Sequence, residues 1–190
     1  MKYQDEEIYH IYNRGCDKNI IFFNERNYKF LIRKMKHNSE KFNVKIIVFC
    51  LMPNHYHFLL KQNTNGSISN FLKSTFTSYS LAVNKEQKRS GTLFESIPQF
   101  ILINKIEYLQ YLFWYIHYNP VKLGLVVKPE DWSFSNYLEC IGRRNLYPFD
   151  FDFVIELFGS QDNYKEFMEK FAEDNRYNLD YEKYIIEKFY

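Results

Sequence analysis

Cysteine is scarce in this chain: Cys16, Cys50 and Cys140 are odd in number and far apart. That spacing excludes a disulfide framework and a zinc knuckle, and it fits reduced thiols in a cytoplasm. No apolar run approaches the roughly 18 residues of a membrane span, and the opening Met1-Lys2-Tyr3-Gln4-Asp5-Glu6-Glu7 lacks the character of a signal peptide. The glycine-rich P-loop pattern is missing, so no nucleoside-triphosphate site is expected. There is no internal repeat and no low-complexity segment. What the chain holds in quantity is aromatic, with 17 Tyr and 19 Phe among 190 residues and 46% hydrophobic residues in all. That suits one domain with room for an appendage, and it can bury enough surface to offset the entropy of ordering.

The net charge of +2 hides an asymmetry. Residues 14–89 carry 14 Lys and Arg against 4 Asp and Glu, whereas residues 130–190 carry 7 basic and 14 acidic residues. A polyanion is a natural partner for the basic half, although a solvated lysine-rich surface would look the same.

Alternation over Glu7–Tyr12 predicts a first strand. Asn24 can cap a helix from Glu25 to about Lys41, with Tyr28, Leu31, Ile32 and Met35 at helical spacing. Val44 to about Cys50 and His55 to about Lys61 read as strands on either side of a Pro53-Asn54 turn. Ser67 can cap a second helix, and Lys85–Gly91 reads as a basic loop. Phe94 and the run Gln99–Ile103 can hold another strand. A third helix is expected from about Lys105 to Tyr118, stopped by Asn119-Pro120. The helicity of the segment that follows Glu130–Ser135 is left open; beyond it Phe153–Phe158 and Tyr164–Phe171 look helical. Strand, helix, strand, strand, helix, strand is the order of a ferredoxin-like α+β fold, with a mostly antiparallel sheet and two helices on one face. The third helix would lie near the other face. The expected division is a domain over residues 1–140 and an acidic, helical C-terminal extension over 141–190.

The chemistry gathers at His55-Tyr56-His57. In a strand, alternate side chains share a face, so the two imidazoles project together about 6–7 Å apart and can converge on one cation. Hydrogen bonding to backbone is the plainer role for such a pair. On the third helix, Ile106, Leu109, Phe113 and Ile116 form the expected core stripe, while Tyr108, Leu112, Tyr115 and Asn119 lie on the next. Tyr115 and Asn119 are one turn apart and face the same way. Tyr111 lies one turn before Tyr115, and Tyr118 sits close to the Pro120 break.

His55-Tyr56-His57 resembles the motif of the HUH single-strand DNA nucleases. The pairing of Leu51–Leu59 with Tyr115-Ile116-His117-Tyr118-Asn119-Pro120-Val121-Lys122 is similar to the REP-associated tyrosine transposases, a branch of the single-tyrosine transposases. Tyr9-His10-Ile11-Tyr12-Asn13-Arg14-Gly15 and Trp132-Ser133-Phe134-Ser135 share that likeness, which spans residues 7 to about 140. The resemblance implies nicking and strand transfer of hairpin-containing single-stranded DNA through a 5′-phosphotyrosine on Tyr115. It further implies a Mg²⁺ or Mn²⁺ ion held by His55, His57 and Asn119. Two imidazoles and an amide suit Mn²⁺ better than Mg²⁺. The basic side chains Arg14, Lys85, Lys88 and Arg89 are the expected DNA contacts.

Two other classes compete. A non-catalytic binder could stack unpaired bases on an open sheet face, but no RNP1 pattern is found in the strands. A zinc hydrolase using His55 and His57 would want a carboxylate or third histidine that the neighbouring sequence lacks.

Overall fold

The computed structural model describes residues 3–147 and 150–173; positions 174–190 of the acidic tail lie outside the described residues. The two histidines open one arm of a hairpin. Strand β2 (Val44–Met52) and strand β3 (His55–Gln62) are joined by Pro53-Asn54 alone, with Met52 paired to His55. Strand β1 (Ile8–Arg14) pairs antiparallel with β3, and β4 (Gln99–Leu102) pairs antiparallel with β1, giving the order β2-β3-β1-β4. That is the ferredoxin-like arrangement expected from the element order. β1 runs two residues past its expected end, and the extension pairs Arg14 with His55.

Helix α1 (Glu25–Lys41) starts where Asn24 accepts a bond from the Asn27 amide at 3.2 Å. Helix α2 (Ile68–Glu86) starts the same way, with Ser67 capping Asn70. Both cover one sheet face, where Tyr28, Leu31, Met35, Phe71 and Tyr79 meet Ile11, Phe49, Leu51, Phe58 and Leu60. Lys85 therefore belongs to the last turn of α2, and the connecting loop begins after it.

Helix α3 (Ile106–Lys122) lies on the other face, against Tyr12, Ile47, Val48, Cys50, Met52 and Leu59. Ile47 and Val48 are consecutive, yet both join this core. A register shift between Ile46 and Val48 bulges β2 and breaks its strict alternation. The face that the base-stacking alternative needs open is thus covered.

Two expectations for α3 are corrected. The helix does not stop at Asn119-Pro120 but continues to Lys122, with Pro120 in its last turn. Pro120 has no N–H to give Ile116, so the last turn of the helix carries one missing bond. The core stripe is also wider than expected and excludes Ile106, which is 52% exposed. α3 is buried nearly all round because α5 (Phe151–Phe158) and α6 (Gln161–Glu173) pack on its outer side. There Phe113 meets Phe158 and Tyr164.

The segment left open holds a single helical turn, α4 (Tyr137–Cys140), and a short 3-10 turn at Pro129–Asp131 precedes it. Between them, the chain runs along the free edge of β2, where Leu51 donates to the Phe134 carbonyl at 3.0 Å and Trp132 Nε1 to the Leu51 carbonyl at 3.1 Å. An exposed edge is thereby closed against pairing with other chains. Among the described residues no helix is long and apolar enough to cross a membrane.

Candidate active site

His55 and His57 point from β3 toward α3, and the last two turns of α3 bring Tyr115 and Asn119 to meet them. His55 Nε2 lies 3.3 Å from Asn119 Oδ1. The His55 and His57 rings are edge to face, with centroids 5.3 Å apart, and Tyr115 is edge-on to His57 at the same separation. All four side chains are buried, Tyr115 to within 7% and Asn119 to within 5% exposure. The four residues singled out from two distant stretches therefore form one cluster.

The hydrogen bonds of His55 are informative. Its Nδ1 is 2.7 Å from Asn54 Oδ1, and its Nε2 faces the oxygen of Asn119. A neutral imidazole has one N–H and cannot donate to both oxygens. Burial holds His55 down to about 4, with the nearby Arg14 charge adding to the effect and the Asn119 contact opposing it, so it is neutral at pH 7. Donation to Asn54, the shorter contact, leaves His55 Nε2 as an acceptor facing Asn119, which can meet it with its amide N–H or turn its oxygen to share a cation with it. His55, Asn119 and His57 are the residues that could hold such a cation.

His57 is fully buried and held well below the ordinary histidine range by burial, with His10 and His55 adding to the effect. Its Nδ1 is 3.0 Å from Nε2 of His10 on β1. His10, also fully buried and pushed down to about 3 by burial, is a member of the cluster that the sequence reading passed over. The signal was present in the alternation of β1, which puts His10 on the face of Tyr12. Finding it also required the register of β1 on β3, which sets His10 diagonal to His57. Lys122 was passed over as well: its ammonium lies 5.2 Å from the centre of the Tyr115 ring.

Arg14 sits at the rim, its guanidinium bound to the Glu95 carboxylate. Lys85 and Lys88 are exposed, and Arg89 donates to the Thr92 carbonyl at 3.3 Å. Among the described residues no hydrogen bond or ion pair links those three to the histidine cluster. Their loop is nonetheless anchored beside it: Cys16 donates to the Leu93 carbonyl, Glu95 to that of Arg14, and Asn13 Nδ2 to that of Ser96. Among the described residues no three His, Cys, Asp or Glu side chains gather as a metal cage, as the zinc-hydrolase alternative would require.

A Haemophilus influenzae protein bearing the name REP-associated tyrosine transposase is 26% identical over 125 residues, spanning 60% of this chain and 70% of the relative. The fold resembles that of a REP-associated tyrosine transposase solved bound to a REP hairpin, with a TM-score of 0.61 and 17% identity over 75% of this chain and 84% of the other. The family described as IS200-like transposases matches residues 4–99, a stretch that holds His10, His55 and His57 and ends before Tyr115. The chain belongs to the IS200-like transposase family.

Proposed function

We propose that this protein nicks single-stranded DNA beside a hairpin and transfers the strand through a 5′-phosphotyrosine on Tyr115. The observation that carries the reading is the meeting of Tyr115 with His55, His57 and Asn119 in one buried cluster. A relative's name and a structural neighbour bound to a REP hairpin support the choice of DNA. The Tyr115 oxygen attacks phosphorus and loses its proton, and the bond from phosphorus to the 3′-oxygen breaks. That oxygen leaves as a free hydroxyl after taking up a proton. One phosphodiester replaces another, so the bond energy is kept for rejoining and no nucleotide cofactor is required.

A phenol with a pKa of about 10 is a weak nucleophile at pH 7. The Lys122 ammonium over the ring favours the charge that develops there. A divalent cation, Mn²⁺ or Mg²⁺, held by His55, His57 and Asn119, would offset charge growing on the phosphoryl oxygens. In this reading Arg14, Lys85, Lys88 and Arg89 contact the DNA backbone, so affinity falls as salt rises.

Incubation with end-labelled single-stranded DNA carrying a hairpin, with Mn²⁺, followed by denaturing gels, tests the reading. The expected product is a protein–DNA adduct together with a shorter strand ending in a 3′-hydroxyl. Cleavage without an adduct, or adduct formation by the Tyr115→Phe protein, overturns it.

A further inference from the structure

The structure assigns a positioning role to His10: it accepts the Nδ1 proton of His57 and so keeps the other nitrogen of His57 bare toward the Tyr115 cluster. This rests on the reading of His57 as a cation ligand.

His10 and His57 are diagonal neighbours on paired strands, since Tyr12 is opposite His57 and His10 is opposite Leu59. Their facing nitrogens are 3.0 Å apart and their rings lie 18° from parallel. Both rings are fully buried and neutral, so the pair shares one hydrogen bond in one of two senses. With the proton on His57 Nδ1, His10 Nε2 accepts it and His57 Nε2 carries a lone pair. With the proton on His10 Nε2, His57 must carry its own proton on Nε2, where no metal can then bind.

Only the first sense suits a ligand. In that sense His10 carries its proton on Nδ1, an atom with no hydrogen-bond partner among the described residues. Burying such a group is unfavourable, and cores rarely keep one without a role. A histidine that serves only to fill the core would do better as Phe or Leu. Second partners of this kind fix the tautomer and the ring orientation of a ligating histidine, and their loss weakens metal binding about 10–100-fold.

Two measurements test the assignment. Long-range proton–nitrogen NMR of the unaltered, metal-free protein reads which His57 nitrogen is protonated. The expected result is Nδ1–H, and a proton on Nε2 overturns the proposal. Calorimetric titration with Mn²⁺ then compares the parent with His10→Phe and His10→Gln. The Phe variant should bind about tenfold or more weakly. The Gln variant, whose amide oxygen can stand in for Nε2 as acceptor, should stay within a few-fold of the parent. Equal affinity of the Phe variant and the parent overturns the proposal. A parent that binds no Mn²⁺ defeats the metal reading instead, and the NMR measurement still decides the role of His10.

Discussion

Four tyrosines lie on α3, and their surroundings separate them. Tyr111 is fully buried and stacks behind Tyr115 with ring centres 5.9 Å apart. Tyr118 lies flat on Trp114 at 5.2 Å. Tyr108 stacks on Tyr111. Tyr115 stands edge-on to His57, with ring centres 5.3 Å apart. Tyr115→Phe keeps the ring and removes the hydroxyl, so adduct formation should fall by roughly 10³-fold or more while stability changes by no more than about 1 kcal/mol. Tyr111→Phe should still form the adduct. Peptide mapping of the trapped complex checks both, and a nucleotide found on Tyr111 or Tyr118 contradicts the assignment. The pairing of Tyr115 with Asn119, and of His55 with His57, was legible because each depends only on the local repeat of its own helix or strand. His10 was not, since its meeting with His57 depends on the register of β1 on β3, which the expected strand order alone leaves open.

At the scale of elements, one buried side chain does much to hold α3 in place. Asn136 accepts from the Phe49 amide at 2.7 Å, donates to the Ile47 carbonyl at 3.0 Å, and accepts from His117 Nε2 at 3.0 Å. His117 is on α3, and its Nδ1 accepts from the Tyr164 hydroxyl of α6 at 2.6 Å. The chain of bonds thus joins β2 at its bulge, α3 and α6. Asn136→Ala strips partners from three buried polar groups, and a loss of about 2–4 kcal/mol is expected. Tyr164→Phe exposes only His117 Nδ1 to the loss of a partner, for about 1–2 kcal/mol. Urea unfolding of both variants checks the order, and a smaller loss for Asn136→Ala than for Tyr164→Phe would contradict it. The starts of α1 and α2 could be read from Asn24 and Ser67, because caps act within one turn. The clasp could not, because Asn136 and Phe49 are 87 residues apart. The end of α3 was misread for a different reason: proline's local cost is limited to one bond and its neighbour's backbone, and the packing of α3 between a sheet and two helices outweighs it.

The whole molecule carries a pH liability. His10 and His117 are fully buried and held at about 3 and about 4, in each case chiefly by burial. Their folded values lie below the unfolded value of 6.5, so below that pH the unfolded chain binds more protons than the folded one. Stability is therefore full above about pH 7 and falls as pH drops through 6.5 toward the folded values. Each group contributes about 1.4 kcal/mol per pH unit, or about 4 kcal/mol for the pair by pH 5. That is a large share of a typical 5–15 kcal/mol. Urea midpoints at pH 7.5 and pH 5.0 should differ accordingly, and equal midpoints would contradict the prediction.

The packing of α3 on its own sheet has a consequence for stoichiometry. The histidines and the tyrosine of the cluster come from the same polypeptide, so every chain carries a full set. Turnover per mole should then be indifferent to dilution. Chains lacking His55 and chains lacking the Tyr115 hydroxyl should not rescue each other when mixed, because neither can lend its intact half to the other. Restored adduct formation in a mixture of His55→Ala and Tyr115→Phe proteins would mean that helices are exchanged between copies in solution.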